Sequence, residues 1–129
     1  MTEDLDKFIS TFVKRERRDR YLSLLANAKR RSDGLWDLLH DTRHLDMKKF
    51  TPILNAVDPK AVVVDHFKRL GVKEAGYVLA ARSELDGQRV ALSVFLEQGG
   101  EDAAIFFPSV NAGYYANHEG EHYLFSAIA

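Results

Sequence analysis

The chain has 129 residues, 46% of them hydrophobic, and its 18 Lys and Arg against 19 Asp and Glu give a net charge of −1. This length is near the commonest domain size and can bury one core, so we expect a single domain over residues 1–129. The chain has no cysteine, which excludes disulfides, thiolate zinc sites, iron–sulfur clusters and thiol nucleophiles.

The amino-terminal residues, Met1–Asp6, are acidic and lead into an amphipathic stretch. An export signal would instead begin with basic residues and continue with an apolar segment. No apolar run approaches the ~20 residues that a membrane helix requires. We therefore expect a cytoplasmic protein that does not contact membranes.

Two amphipathic helices are predicted near the amino terminus. In residues 5–13 the apolar side chains recur at intervals of three and four, and Thr2 is the predicted N-cap. If residues 5–28 formed one straight helix, a second apolar stripe in residues 21–28 would lie on the side opposite to the first stripe. We therefore expect a break around residues 14–19.

A short third helix is predicted to begin at Leu35. Ser32 or Asp33 is the expected cap, because short polar side chains bind the exposed N–H groups at the start of a helix. The chain then reaches Thr51-Pro52, where we predict a break in regular structure.

A fourth helix is predicted to begin at Asp58-Pro59 and to end at Gly71. Aspartate is a good cap, proline is favoured at the first helical position, and glycine is common just after a helix. Residues 62–64 are all valine and could instead form a strand. The helix is favoured because Asp65 and Arg69 have the spacing of an ion pair on one helical face.

From Gly76 onward the spacing of the apolar residues changes to two, which is typical of strands. Residues 77–82 and 88–97 predict two strands joined at Asp86-Gly87. Further strands are predicted at residues 103–107, 113–116 and 122–128. The prediction is therefore an α+β fold, with N-terminal helices packed on one face of a C-terminal four- to five-stranded antiparallel sheet.

The segment His118-Glu119-Gly120-Glu121-His122 matches the His-Glu-x-x-His pattern of zinc hydrolases. That pattern needs a helix to place both imidazoles on one face, and Gly120 between strand-forming residues disfavours a helix. A two-residue loop at Glu119-Gly120 would pair Asn117 with His122 and put the two histidines on opposite faces of the sheet. We predict a polar hairpin tip and assign no catalytic residue, metal ligand or cofactor; a small metal-dependent hydrolase remains the third hypothesis.

Two further groups could bind a metal ion. His40 and His44 are four residues apart and could share an ion on a helix, although a histidine that caps the last helical turn is favoured. Glu97, Glu101 and Asp102 border a Gly-Gly turn, where we expect solvated acids.

The charges are distributed unevenly along the chain. Residues 1–73 hold 16 Lys and Arg against 11 Asp and Glu, whereas residues 74–129 hold 2 against 8. The residues predicted to bind a partner are Arg15, Arg17, Arg18, Arg20, Lys29, Arg30 and Arg31. We predict a non-enzymatic binding or regulatory module that uses this basic helical surface to contact an acidic protein partner or a second copy of the chain.

Other interpretations of this basic surface stay open. Nucleic acid is the second hypothesis, because arginine forks suit phosphate groups and clustered cations release counterions. The same side chains could also be an ordinary solvated helix face, with their aliphatic stems covering the edge of the core.

Two parts of the sequence carry a family resemblance. The first comprises Glu16-Arg17 to Tyr21, Lys29-Arg30-Arg31 and Leu45-Asp46, and the second Ser83–Gly87, Tyr114-Tyr115 and Glu119-Gly120-Glu121. These stretches resemble a group of small uncharacterised bacterial proteins, whose last segment has aromatic residues and Glu-Gly-Glu without flanking histidines. The resemblance implies no substrate, cofactor or activity, and it counts against the zinc interpretation.

Overall fold

The computed structural model describes residues 3–127 and begins with three helices. Helix α1 spans Glu3–Phe12 and buries the predicted apolar stripe. A 3-10 turn at Arg15–Arg17 separates α1 from α2, which spans Arg18–Ala26. The predicted break is confirmed, whereas Thr2, the predicted N-cap, lies outside the described residues.

The third helix, α3, spans Arg31–Leu39 and begins four residues earlier than predicted. The prediction that Ser32 or Asp33 caps it was wrong, because both residues lie within its first turn. The N-cap residue is Arg30, whose side chain makes no capping hydrogen bond. The Ser32 hydroxyl instead donates to the carbonyl oxygen of Ala81 at 2.9 Å, which links α3 to the sheet.

The fourth helix, α4, spans Pro59–Arg69 and has the predicted ends. The Asp58 carboxylate accepts hydrogen bonds from the backbone N–H groups of Lys60 at 3.1 Å and Ala61 at 3.3 Å. Gly71 follows the helix with a φ of 74°, in the left-handed region that glycine adopts at low cost. The alternative of a strand within this segment was wrong.

Within residues 3–127, six strands form one antiparallel sheet. They are β1 Phe50–Pro52, β2 Gly76–Ala80, β3 Arg89–Val90, β4 Ala103–Phe107, β5 Ala112–Ala116 and β6 His122–Ser126. Their order is β1-β6-β5-β4-β2-β3, which confirms the α+β class and adds one strand to the predicted maximum of five. The prediction of a break at Thr51-Pro52 overlooked β1. Proline is tolerated there because β1 lies at the edge of the sheet, next to β6.

The stretch 88–97 was predicted as one strand, and that prediction was wrong. After the two residues of β3 the chain forms helix α5, Leu92–Gln98. Leu92, Phe95 and Leu96 have the i, i+3, i+4 spacing of one helical face, and all three pack against the sheet. The apolar residues fit both a helix and a strand, and packing against the sheet favours the helix.

Both faces of the sheet are buried. The first face packs against α1, α2 and α3. Its centre is an aromatic cluster that comprises Phe8, Phe12, Phe106 and Phe125, in which the rings of Phe12 and Phe125 lie 4.6 Å apart. The second face packs against α4 and α5 through Val63, Phe67 and Phe95. The first three helices thus cover one face, as predicted, whereas α4, which was also predicted among the N-terminal helices on that face, packs with α5 on the other.

None of the helices within residues 3–127 combines the length and the apolar character needed to cross a membrane.

The end of α3, the start of β4 and the β5–β6 loop meet at one end of the sheet. The hydroxyl of Tyr115 donates to the carbonyl oxygen of Leu39 at 2.6 Å. The backbone N–H of His118 donates to the carboxylate of Asp102 at 3.0 Å. Residues that are far apart in the sequence are thereby brought together.

Candidate functional site

Arg31, one of the seven predicted binding residues, is partly buried and binds groups of the protein itself. Its Nε and Nη2 donate to the two carboxylate oxygens of Asp86 at 2.6 and 3.0 Å, and Nη2 also donates to the Tyr77 hydroxyl at 2.9 Å. Burial disfavours the charge, but these hydrogen bonds outweigh it and raise the pKa of Arg31. Arg31 therefore links α3 to the turn between β2 and β3.

Arg17 and Arg18 also bind groups of the protein itself. Nε of Arg18 donates to the carbonyl oxygen of Val13 at 3.0 Å, and Nη1 of Arg17 donates to Nδ1 of His44. Burial, reinforced by the charges of Arg17 and Arg43, lowers the pKa of His44 and favours its neutral form, in which one ring nitrogen accepts a hydrogen bond. These arginines stabilise the connection between α1 and α2.

The remaining four predicted residues lie at exposed positions. They are Arg15, Arg20, Lys29 and Arg30, which we call the exposed basic face. Helix α2 has nine residues and is therefore about 14 Å long, with Arg15 before its first turn and Lys29 after its last. Glu16 and Asp19 are exposed on the same stretch, so the surface carries four cations and two anions.

A polar cluster around Asp37 fixes α2 to α3. The Tyr21 hydroxyl donates to Oδ2 of Asp37 at 2.5 Å, and Nη2 of Arg20 lies 3.4 Å from the same oxygen. Burial and this hydrogen bond raise the pKa of Tyr21 above its ordinary range. The guanidinium of Arg20 is thus tethered, whereas Arg15, Lys29 and Arg30 make no ion pair within residues 3–127.

His40 and His44 do not share a site, and the favoured prediction, a histidine that caps the last helical turn, is confirmed for His40. Nδ1 of His40 lies 2.9 Å from the carbonyl oxygen of Trp36, so the imidazole caps the last turn of α3. Its ring stacks on the Trp36 indole with centroids 4.2 Å apart and planes inclined by 7°. His44 is buried next to Tyr21. The two imidazoles therefore contact different aromatic rings, Trp36 and Tyr21.

The β5–β6 hairpin differs by one residue from its predicted register. Ala116 pairs with His122, and the N–H of Asn117 donates to the carbonyl oxygen of Glu121 at 3.2 Å. The loop is therefore residues 118–120, one residue longer than predicted. Its glycine has a φ of 78°, a conformation that other residues rarely adopt.

The two histidines of this hairpin have different partners. Nδ1 of His122 accepts a hydrogen bond from the Tyr114 hydroxyl at 2.7 Å, on the face covered by α4 and α5, whereas His118 binds Asp102. Strands on either side exclude the helix that a zinc hydrolase motif requires. Within residues 3–127 no group of three or more His, Cys, Asp or Glu is arranged to hold a metal ion.

Asp102 is buried, so the expectation of a solvated acid was wrong for this residue. Its side chain is 7% exposed, and Oδ1 accepts hydrogen bonds at 3.0 Å from both the backbone N–H and Nδ1 of His118. The hydrogen bond to Asp102 raises the pKa of His118. When His118 is neutral, its proton lies on Nδ1 and its Nε2 is a hydrogen-bond acceptor.

An open cleft of about 530 Å³ lies next to this pair. Its walls include Trp36, Arg82, Gln98, Glu101 and His118, and we call it the Trp36 cleft. The sequence carries no pattern that predicts a role for Trp36 or Arg82. Nothing in the local spacing of these residues indicates that they face one cavity.

A second cleft of about 260 Å³ lies beyond the Gly100–Glu101 segment, which borders both clefts. Its walls include Phe95, Tyr114 and His122. Burial raises the pKa of Tyr114 to about 12, so the phenol stays protonated and donates to His122. His118 and His122 therefore border different clefts.

No protein-family model matches the chain, and no match was found among curated proteins or among solved structures.

Proposed function

We propose that the protein is a non-enzymatic binding module whose exposed basic face contacts an acidic protein surface. The observation that carries this proposal is the position of Arg15, Lys29 and Arg30. They are exposed on the connections at either end of α2, and none forms an ion pair within the described residues. Their charges are therefore available to a partner.

The surroundings of the exposed basic face suit such a contact. The hydrogen bonds of Tyr21 to Asp37 and of Arg31 to Asp86 hold α2 and α3 in place, so few main-chain degrees of freedom are lost on binding. Exposed cations also accelerate the encounter with an acidic partner more than they increase its final affinity. A second copy is one such partner, because residues 74–129 carry a large excess of acidic side chains.

The test is the affinity for a poly-glutamate peptide, measured for the wild type and for a charge-reversed variant, Arg15→Glu/Lys29→Glu/Arg30→Glu. We expect the reversal to weaken binding by at least about tenfold, because attraction becomes repulsion.

The control variant is Lys60→Glu/Lys68→Glu/Lys73→Glu, which makes the same change of net charge at exposed positions in and after α4. Equal losses in the two variants would mean that only net charge matters. Unchanged affinity in the first variant would also overturn the proposal.

Nucleic acid is the second candidate for the same surface, because the guanidiniums of Arg15 and Arg30 suit phosphate groups. Glu16 and Asp19 lie on the same stretch and would repel a phosphate backbone and an acidic protein surface alike. The affinity for duplex DNA as a function of salt separates the candidates, since each phosphate contact contributes about −0.9 to the log–log slope. Tight binding to DNA, with a slope that corresponds to several phosphate contacts, would favour nucleic acid over an acidic protein.

A further inference from the structure

The indole of Trp36 is fixed in place and forms part of the wall of the Trp36 cleft. The side chain is 40% exposed although His40 stacks on its ring, so the contact orders the ring without burying it. Large aromatic side chains are normally buried in the core. An exposed and ordered ring offers a ligand a flat apolar surface at little entropic cost.

The polar side chains around this ring balance each other in charge. The Arg82 guanidinium is offset by the exposed carboxylate of Glu101, and Asp102 is neutralised by His118 when the imidazole is protonated. The charges of these four side chains therefore cancel when His118 is protonated, and a single negative charge is left when it is neutral. Together with the amide of Gln98, these groups supply both donors and acceptors.

His118 is the most precisely positioned of these groups. Two hydrogen bonds to the buried Asp102 carboxylate fix the imidazole and its backbone. Nε2 accepts a hydrogen bond when the ring is neutral and donates one when it is protonated. A hydroxyl group can satisfy Nε2 in either state, because it both donates and accepts.

We propose that the Trp36 cleft binds one pyranose ring of a saccharide. Such a ring is uncharged, has a face of C–H groups that packs on an indole, and has hydroxyl groups around its rim. Arg82, Gln98 and His118 would bind these hydroxyls, with Asp102 as the residue that positions His118. The cleft of about 530 Å³ is large enough for one ring.

The single tryptophan of the chain makes this proposal directly testable, because intrinsic tryptophan fluorescence reports on Trp36 alone. The purified protein is titrated with glucose, galactose, mannose and N-acetylglucosamine, and with sorbitol as the matched acyclic polyol. We expect a saturable change with at least one pyranose and none with sorbitol. No saturable change with any of the four sugars, or an equal response to sorbitol, would overturn the proposal.

Two variants then test the position of the site, and each is first checked for a folded NMR spectrum. His118→Gln and Arg82→Gln are each expected to weaken the binding by about tenfold, the effect of one lost hydrogen bond. Arg82 is exposed, so its replacement does not threaten the fold. His66→Gln, on α4 outside the cleft, is the control and should bind like the wild type. Weaker sugar binding by either cleft variant supports the site. Wild-type affinity in both cleft variants contradicts it.

Discussion

Asp102 is the residue that fixes the geometry of His118. Its backbone has a φ of 52°, in the left-handed region that an aspartate adopts more readily than most residues. The two hydrogen bonds from His118 hold the carboxylate in this position. The same contact favours the protonated imidazole, so the pair contributes most to stability at low pH.

The first prediction concerns the pKa of His118, measured by NMR titration of its ring protons. We expect Asp102→Asn to lower this pKa towards the ordinary value of about 6.5, because an amide does not stabilise the imidazolium as a carboxylate does. Since the folded-state pKa is raised, the stabilisation is present below pH of about 6.5 and is lost as the pH rises through the folded-state value.

His66 provides the internal control for this titration. Burial lowers its pKa, and the neighbouring charges that affect it are Arg69 and Asp65, so Asp102→Asn should leave it unchanged. An unchanged midpoint for His118 in the variant would contradict the assigned role of Asp102.

The second prediction compares two neighbouring arginines with different surroundings. Arg31→Gln removes the bidentate contact and leaves the carboxylate of Asp86, 20% exposed, without its cation. We expect a loss of about 2 kcal/mol in the free energy of unfolding, measured by denaturant titration. Arg30→Gln, at an exposed position, should change stability by less than about 0.5 kcal/mol. Equal effects would show that Arg31 is not a structural link.

The sequence predicted those elements that have strong local signals. Both ends of helix α4 were predicted because their signals are local. Asp58 accepts hydrogen bonds from the first N–H groups of the helix, and Gly71 adopts the left-handed conformation that ends it. Helix α5 was missed because its apolar residues also fit the spacing of a strand, and only contact with the sheet distinguishes the two. Strand β1 was missed because proline usually ends a strand. It is tolerated at the edge of a sheet, where Pro52 lies.

The third prediction concerns the central strand β5. A Cβ at Gly113 would overlap the carbonyl oxygen of Ile105 and the ring of Phe125. We therefore expect Gly113→Ala to destabilise the protein by about 3 kcal/mol in a thermal or denaturant unfolding experiment.

Gly120→Ala is the matched control for this substitution. Its positive φ is unfavourable for alanine, but there is open space around it, so the expected loss is about 1 kcal/mol. A Gly113 variant no less stable than the Gly120 variant would contradict the predicted overlap.

The candidate sites depend on the whole fold, which limits what the sequence alone could indicate. Trp36, Asp102 and His118 belong to α3, the loop before β4 and the hairpin, and no local pattern relates them. The basic residues illustrate the same limit. Arg30 and Arg31 are adjacent in the sequence, yet the first is exposed and the second binds Asp86.

The unequal distribution of charge is partly neutralised within the molecule. Arg31 of the basic half forms an ion pair with Asp86 of the acidic half. In a second ion pair the acid, Asp4, belongs to the basic half and the base, Arg89, to the acidic half. These contacts connect the two parts of the chain and remove some charge from the surface. The residues of the exposed basic face take no part in these two ion pairs, so their charges stay at the surface.

The most direct measurement of partner binding is NMR chemical-shift mapping of the folded protein with a poly-glutamate peptide at low salt. We predict that the largest backbone amide shifts occur at and beside Arg15, Arg20, Lys29 and Arg30, with little change along α4. Largest shifts around Lys60 and Lys68, or no saturable shifts at all, would contradict a binding role for the exposed basic face.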